Sequence, residues 1–448
     1  MKRGLPFRRV IWVLGFLGAL RITPDPGASA EGGPFTRIGA EANGNATGEI
    51  PAFEGAKGLV CPDGYENGDY LPSPYKDDRI LFRIDHTNVD QHAHRLSAGQ
   101  IERLKRHKNF YMNVYPTHRN FEHPEKYDLA TAKNLETCRL DEKNVLRGWN
   151  GGIPFPDPKN GLEAIWNVKR PWAGDDLITD DCRRIVDPWG QIRKNRWTTK
   201  IMGLDGRLGT QVPNPDAVIA KGLTFLTYPA DREGEAALQI SYIDDNKEPD
   251  IWVYLPSLRR VRRAPTFIGG TQLDGESTVD ETGFDFRDNV NGWNWKLLGK
   301  REMYVPANNY EIWALGAKDD EECRPMDLDP ARIRYELHRV WVVEGTLAKG
   351  ENHPYSRRVS YYDEDHWQPV AADRYDRRGN LWRMAEYFQV YNYCTRQRYV
   401  IGFLYINLES GRYEVFGGCR DPNTKTNATD IGLKDEEFSV QALRRLGR

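Results

Sequence analysis

From about Cys182 onward the chain is a succession of short runs rich in β-branched and aromatic residues, each closed by Gly, Pro or Asp. They are "LTFLTYP", "LQISYI", "IWVYLP", "WNWKLLGKREMYVP", "YEIWALG", "IRYELHRVWVVEGTL", "SRRVSYY", "WQPVAADRYD", "LWRMAEYFQVYNY", "YVIGFLYINL" and "RYEVFGG". Such residues suit a pleated surface, and short turn-rich connectors join strands that run antiparallel. Helical spacing is confined largely to the first 200 residues and the last dozen. Strands grouped after helices exclude the alternating winding of a parallel α/β sheet. The fold class that follows is α+β, mainly β: a large curved antiparallel sheet of about eleven strands with helices on one side.

The remainder of the chain divides around that sheet. Residues 1–30 carry a basic start, the apolar run Val10 to Leu20 and a closing Ala28-Ser29-Ala30, the pattern of a secretory signal cleaved after Ala30. The apolar run is about half of the ~20 residues that span a bilayer. Residues 31–75 are rich in Gly, Pro and Asn without a sustained period and read as an extended arm. Residues 76–181 form a helix- and loop-rich segment that packs on the sheet, and 182–448 the sheet itself with a C-terminal helix at "FSVQALRRL". Within the second segment, Ser97 and Gln100 make a capping box for a helix in "LSAGQIERLKRH". A further helix is expected at Leu129 to Leu140 with Asp128 as its cap, and a short one around Leu162 to Val168.

Export frames the six cysteines, Cys61, Cys138, Cys182, Cys323, Cys394 and Cys419. An even number in an oxidising compartment points to disulfides, and none lies in a CxxC pair. Proximity in sequence alone favours Cys138 with Cys182 and Cys394 with Cys419. The near balance of 63 basic and 65 acidic residues gives no steering toward nucleic acid.

Two strands carry apolar faces long enough to line a core or a cavity. Tyr335, Leu337, Trp341 and Val343 share one, interrupted by Arg339; Trp382, Met384, Phe388 and Val390 share the other, interrupted by Glu386. Together with Trp252 and Tyr254, the residues Leu337, Trp341, Val343, Trp382, Met384 and Phe388 are the candidates for a ligand cavity. In "RRVRRAP", Arg260 and Arg262 are candidates for contact with an anionic head group, because guanidinium forks match such oxygens. The stretch "YYDEDHW" sets Asp363, Glu364, Asp365 and His366 in a row, but consecutive side chains diverge, whereas acid–base pairs converge across a cleft. It reads as a hairpin turn. His92 and His94, in a loop with His86 and Asp90, are weak candidates for a metal and fit chance enrichment better. The acids Asp157, Asp285 and Asp288 are the material for a hydrolytic pair.

The pattern "D-x-D-x-W-x-P", strand, "D-x-x-G-x-L-W" resembles the periplasmic lipoprotein-carrier superfamily with the LolA/LolB-like fold. More closely, the chain resembles the bacterial family of domain of unknown function 1329 (DUF1329). The matching pieces are "IGAEANGNATGEIPAFEG", "VYPTHR", "GGIPFPDPKNGLEAIWN", "LPSLRRVRRAP", "WKLLGKREMYVP", "RYELHRVWVVEGTL" and "YYDEDHW". With the "D-x-x-G-x-L-W" turn they span roughly residues 38 to 382. The cysteines and "CRDPNTKTNATD" depart from the family pattern. The resemblance implies a half-open β-barrel wrapped around helices on its concave side, exported to the periplasm. It implies neither cofactor nor catalytic residues. The expected role is a non-enzymatic carrier of a hydrophobic, lipid-like molecule, working with an inner-membrane transporter of the resistance-nodulation-division type and an outer-membrane protein. The competing readings are a hydrolase of envelope glycan or lipid that uses an acidic pair, and a structural adaptor of a transport complex.

Overall fold

Every one of the longer strands finds its partner next along the chain, apart from a single closure that turns two meanders into one sheet. The computed structural model describes residues 34–264, 270–272, 275–281, 285–312, 318–419 and 427–446. Two short strands come first, β1 (Phe82–Ile84) and β2 (Met112–Val114). The first meander is β3 (Asp176–Val186), β4 (Ile192–Gly203), β5 (Val218–Tyr228), β6 (Ala236–Tyr242), β7 (Asp250–Leu255) and β8 (Arg260–Arg263). The second is β9 (Trp293–Pro306), β10 (Arg334–Leu347), β11 (Arg357–Asp363), β12 (Pro369–Tyr375), β13 (Leu381–Asn392), β14 (Gln397–Asn407) and β15 (Tyr413–Gly418), with β16 (Ala428–Thr429) after it.

Among the described residues these sixteen strands form one curved, unclosed sheet. β15 pairs antiparallel with β3 and so joins the last strand of one meander to the first of the other. β8 and β9 end the long path on opposite sides, while β1 and β2 extend it from the start of β10. Because β8 and β9 are consecutive in sequence yet lie at opposite ends, the connector between them must cross a face of the sheet.

The long strands of the sheet begin at Asp176, six residues before the expected boundary. They include β3 and β4, whose charged residues on both faces hid the alternation that marks a strand. Conversely, Tyr310 to Ile312 of the expected strand "YEIWALG" form a turn, and its remainder lies outside the described residues, as do the expected signal segment and its cleavage point.

Among the described residues there are four helices of seven residues or more. α1 (Ala98–Arg106) has the capping box of Ser97 and Gln100 that the sequence announces. α2 (Glu125–Thr137) starts four residues earlier than expected, with Pro124 as N-cap, and Asp128 sits in its first turn, where it complements the helix dipole. α3 (Gly161–Lys169) is capped by Asn160, and α4 (Val440–Leu446) follows a buried Phe438. α1 seats on the sheet through its N-terminus. The Asp373 carboxylate of β12 accepts hydrogen bonds from the Ser97 hydroxyl (2.9 Å) and from the N–H groups of Ala98 (3.1 Å) and Gly99 (2.9 Å). A Cβ at Gly99 would lie 2.5 Å from that carboxylate and 2.6 Å from Met384, so only glycine allows the approach.

Residues 34–81 contain neither helix nor strand beyond the isolated bridge between Phe35 and Glu41. This arm is tied down by a disulfide, but not one that sequence proximity favoured. Cys61 pairs with Cys394 and Cys182 with Cys419, whereas Cys138 and Cys323 are not in disulfides. Strand pairing accounts for the second bond, since Cys182 lies opposite Gly417 in the β3–β15 ladder, two residues from Cys419. Peptide mapping under non-reducing conditions should recover these two linkages. Thiol labelling of the unfolded protein should mark Cys138 and Cys323; a linkage between Cys138 and Cys182 would contradict the fold.

Candidate functional site

The row Asp363-Glu364-Asp365-His366 is a hairpin turn between β11 and β12, and every one of its side chains is buried. Each acid has a separate partner. Asp363 accepts from His338 Nδ1 (2.6 Å), Glu364 pairs with Arg339 and with Lys300 (2.8 Å), and Asp365 takes both arms of Arg119 (2.8 and 2.6 Å). Burial alone would lower the His338 pKa, but the Asp363 carboxylate raises it to about 9. The same arginines hold the N-terminal arm: Arg119 donates to the carbonyls of Pro51 (3.0 Å) and Glu41 (2.7 Å), and Arg339 to those of Glu41 (3.0 Å) and Asn43 (2.9 Å). The turn is a clamp on the arm, and its charges are spent on it.

A second buried network lies under the connector between β8 and β9. Arg358 and Arg374 of β11 and β12 are both about 1 % exposed. Arg358 pairs with Asp280 (2.9 Å), and Arg374 with Glu281 and Asp285. Asp285 also accepts from Tyr362 and Tyr387, and its pKa is lowered; burial acts the other way, but the facing guanidinium groups prevail. An acid so engaged is not free to protonate a leaving group. Asp157 is at the surface beside Lys159, so the structure does not bring it together with Asp285. Asp288 is a partly buried acid whose pKa burial raises.

The expected cavity residues fall into three separate clusters, each filled by the chain's own side chains. Leu337, Met384 and Phe388 pack with Leu104 of α1. Trp341, Val343 and Trp382 belong with Trp166 of α3 and Trp367. Trp252 and Tyr254 lie with Phe438 and Leu443 at the C-terminal helix. One shared wall is therefore absent along β10. A strand of fourteen residues is roughly 48 Å long and twists, which carries Leu337 and Val343 into different surroundings. The two charges that interrupt the apolar faces are attachment points: Arg339 grips the arm, and Glu386 accepts from Arg103 (2.6 Å) and Gln100 (3.0 Å) of α1 and from Tyr335 (2.8 Å). His92 stacks on Phe82 in a short helical turn, and no group of three metal-binding side chains occurs among the described residues.

Across β4 to β7 the sheet is buried on one face only. Leu223, Leu238 and Tyr254 point to α4, whereas Trp197, Ile201, Leu226, Ala237, Ile251 and Val253 lie on the other face and are half-buried. At the middle of that second face, a Cβ on Gly222 would meet nothing within 4 Å. At its rim, exposed Arg260 and Arg262 stand opposite Leu255 and Val253 in the β7–β8 ladder, hence on the same side. At its inner end an aromatic band continues from Trp197 to Phe416 (5.7 Å) and Phe403 (4.4 Å from Phe416).

The family described as "Protein of unknown function (DUF1329)" matches residues 83–444. The chain belongs to the DUF1329 family. This DUF1329 protein is 34 % identical over 435 residues to "Uncharacterized protein PA3922" of Pseudomonas aeruginosa, covering 94 % of this chain and 93 % of that one. A crystal structure of a DUF1329 family protein from Desulfovibrio piger is similar over 63 % of this chain and 97 % of its own, at 18 % identity and TM-score 0.45. A putative outer membrane lipoprotein-sorting protein domain from Vibrio parahaemolyticus is similar over 64 % and 98 %, at 19 % identity and TM-score 0.44. The LolA superfamily protein NE2245 from Nitrosomonas europaea follows at 64 % and 100 %, 14 % identity and TM-score 0.39. Overlaps this partial transfer no activity.

Removing one member of a buried ion pair strands the other, at a cost of roughly 3–5 kcal/mol. Arg119→Leu is therefore expected to lower unfolding free energy by about that amount and to open residues 41–53 to limited proteolysis, with Arg119→Leu/Asp365→Leu recovering much of the stability. A loss below about 1 kcal/mol in urea unfolding would show that the clamp is not what holds the arm.

Proposed function

We propose that this protein is an exported, non-enzymatic binding protein that holds a hydrophobic, lipid-like molecule against the open face of β4 to β7. The observation that carries the reading is the contrast between the two faces of those strands. One is buried against α4. The other presents Trp197, Ile201, Leu226, Ala237, Ile251 and Val253 half-buried around the empty space above Gly222. That face also carries Thr199, Thr224, Gln239 and Ser241, so its apolar residues are set among polar ones, and half-buried apolar side chains left uncovered on a sheet face suit a guest with both apolar and polar parts.

The energetics suit reversible loading. Covering ~300 Å² of apolar surface at about 25 cal/mol per Å² yields ~7 kcal/mol gross, before the cost of ordering the guest. Arg260 and Arg262 at the rim suit an anionic head group. Two disulfides accord with an oxidising compartment and so with the periplasm. Release to an inner-membrane transporter or an outer-membrane protein completes the reading.

The test is native mass spectrometry and fluorescent-lipid titration of protein purified with its disulfides intact. Lipid is expected to co-purify. Trp197→Ser is expected to weaken probe binding about tenfold, in keeping with the loss of most of a buried aromatic contact, while leaving the fold unchanged. Wild-type protein that is folded but binds no apolar probe would refute the carrier role. Binding of a protein partner to the same face, with no lipid bound, would favour the adaptor instead.

A further inference from the structure

A second, smaller site lies beside the buried turn, apart from the open face. Arg398, His366 and Gln368 line a recess together with Tyr127, Pro171 and Trp172, with about 30 Å³ of room for water-sized groups. Arg398 and His366 are each 6 % exposed. Buried polar atoms in folded proteins are nearly always hydrogen-bonded. Here four are not: among the described residues, Arg398 Nε and Nη1, His366 Nε2 and Gln368 Oε1 have no hydrogen-bond partner.

The neighbouring charges do not supply the missing contacts. Asp363, the acid that feels Arg398, already accepts from His338 Nδ1 (2.6 Å) and from the Asp365 N–H (2.8 Å), and it stands 3.5 Å from His366 Nε2. Arg396, which also lines the recess, is paired with Glu122 (3.0 Å), whereas Arg398 has no ion pair among the described residues and rests over the Phe121 ring. The His366 tautomer follows from its other nitrogen. Nδ1 lies 3.3 Å from the Gln368 N–H and accepts from it, so in the neutral ring Nε2 carries the proton. Burial keeps that ring neutral by holding its pKa well below the usual value. The side chains that line the recess thus carry three unpartnered N–H groups, two of them on a buried cation, and one unpartnered acceptor.

Size narrows the ligand. One water needs on the order of 10–15 Å³ on this measure, so the recess takes about two water-sized groups. Two oxygens on one carbon fit that room, and the four of a phosphate do not. We propose that the recess is a carboxylate-binding site in which Arg398 is the counter-ion and His366 Nε2–H the second donor. In this assignment an alkyl chain behind the acid would extend out of the recess along Tyr127, Pro171 and Trp172, and Gln368 Oε1 would be the acceptor for a hydroxyl beside it.

Titration calorimetry of the full-length mature protein with sodium hexanoate, hexanol, acetate and inorganic phosphate tests the assignment. Saturable hexanoate binding is expected, about tenfold or more tighter than hexanol, because a hydrogen bond to a charged group discriminates by at least that factor. Acetate binding as tightly as hexanoate identifies a small free carboxylate as the ligand; a clear preference for hexanoate identifies the acid end of an acyl chain. 3-Hydroxyhexanoate should bind at least as tightly as hexanoate. Arg398→Gln should abolish hexanoate binding, while Arg396→Gln and the open-face variant Trp197→Ser should retain it, which separates this site from the proposed lipid surface. Equal binding of hexanol, tighter binding of phosphate, markedly weaker binding of 3-hydroxyhexanoate, or retained affinity in Arg398→Gln would overturn the proposal. Should Arg398→Gln fail to fold, the wild-type protein decides: hexanoate must shift the ¹⁵N resonance of His366 Nε2, and an unmoved resonance overturns the assignment.

Discussion

Buried charged side chains that bind the segments laid across the sheet, through ion pairs and through hydrogen bonds to backbone groups, are what the rest of this structure depends on. The arm is held by Arg119 and Arg339 at the Asp363–His366 turn, α1 by Asp373 and Glu386, and the crossing connector by Arg358 and Arg374. Apart from Arg119, which lies in the loop after β2, each of these charged side chains is on a strand and reaches a segment that has no long strand of its own. Desolvating charges is costly, and such pairs add little net stability compared with apolar packing. Their geometry, however, is exacting, and a long arm without regular structure needs fixed points more than it needs apolar area. The disulfide between Cys61 and Cys394 adds a covalent point to the same arm.

This arrangement determines where a guest can go. The second meander is covered on both faces, by α1 on one and by α3 and the connector on the other, so its apolar strands are core. Reaching Met384 or Phe388 would require α1 to leave, breaking its contacts with Glu386, Asp327 and Asp373 together. The first meander carries fewer of these attachments. Its β5, β6 and β7 are buried toward α4 alone, and their other face, where apolar residues are set among Thr224, Gln239 and Ser241, remains accessible.

Much of the fold was legible in residue pattern. Alternation in "IRYELHRVWVVEGTL" and "LWRMAEYFQVYNY" marked β10 and β13, and Ser97 with Gln100 marked the start of α1. β3 and β4 escaped notice because Asp, Arg and Lys occupy both of their faces. The disulfides were illegible, since Cys182 and Cys419 meet only once β15 has closed onto β3, and Cys61 meets Cys394 only once the arm lies against the turn between β13 and β14. Of the candidate residues, Arg260 and Arg262 lie beside the open apolar face, while the proposed cavity wall is divided among three cores. Arg339 and Glu386 looked like flaws in that wall. A charge set midway along an apolar strand face is a signal that another segment docks there, and it could have located both α1 and the arm. The recess at Arg398 left no trace in sequence, because it depends on which polar atoms lack a partner after folding.

The central claim is that the covered meander is closed to ligand and the half-covered one is open. Amide hydrogen exchange with and without a bound fluorescent lipid tests it most directly. Added protection is expected in β4, β5, β6 and β7, with β10, β13 and α1 unchanged. Protection changes centred on residues 334–347, 381–392 and 98–106, with none in 192–255, would mean that the helix opens and the cargo enters the core.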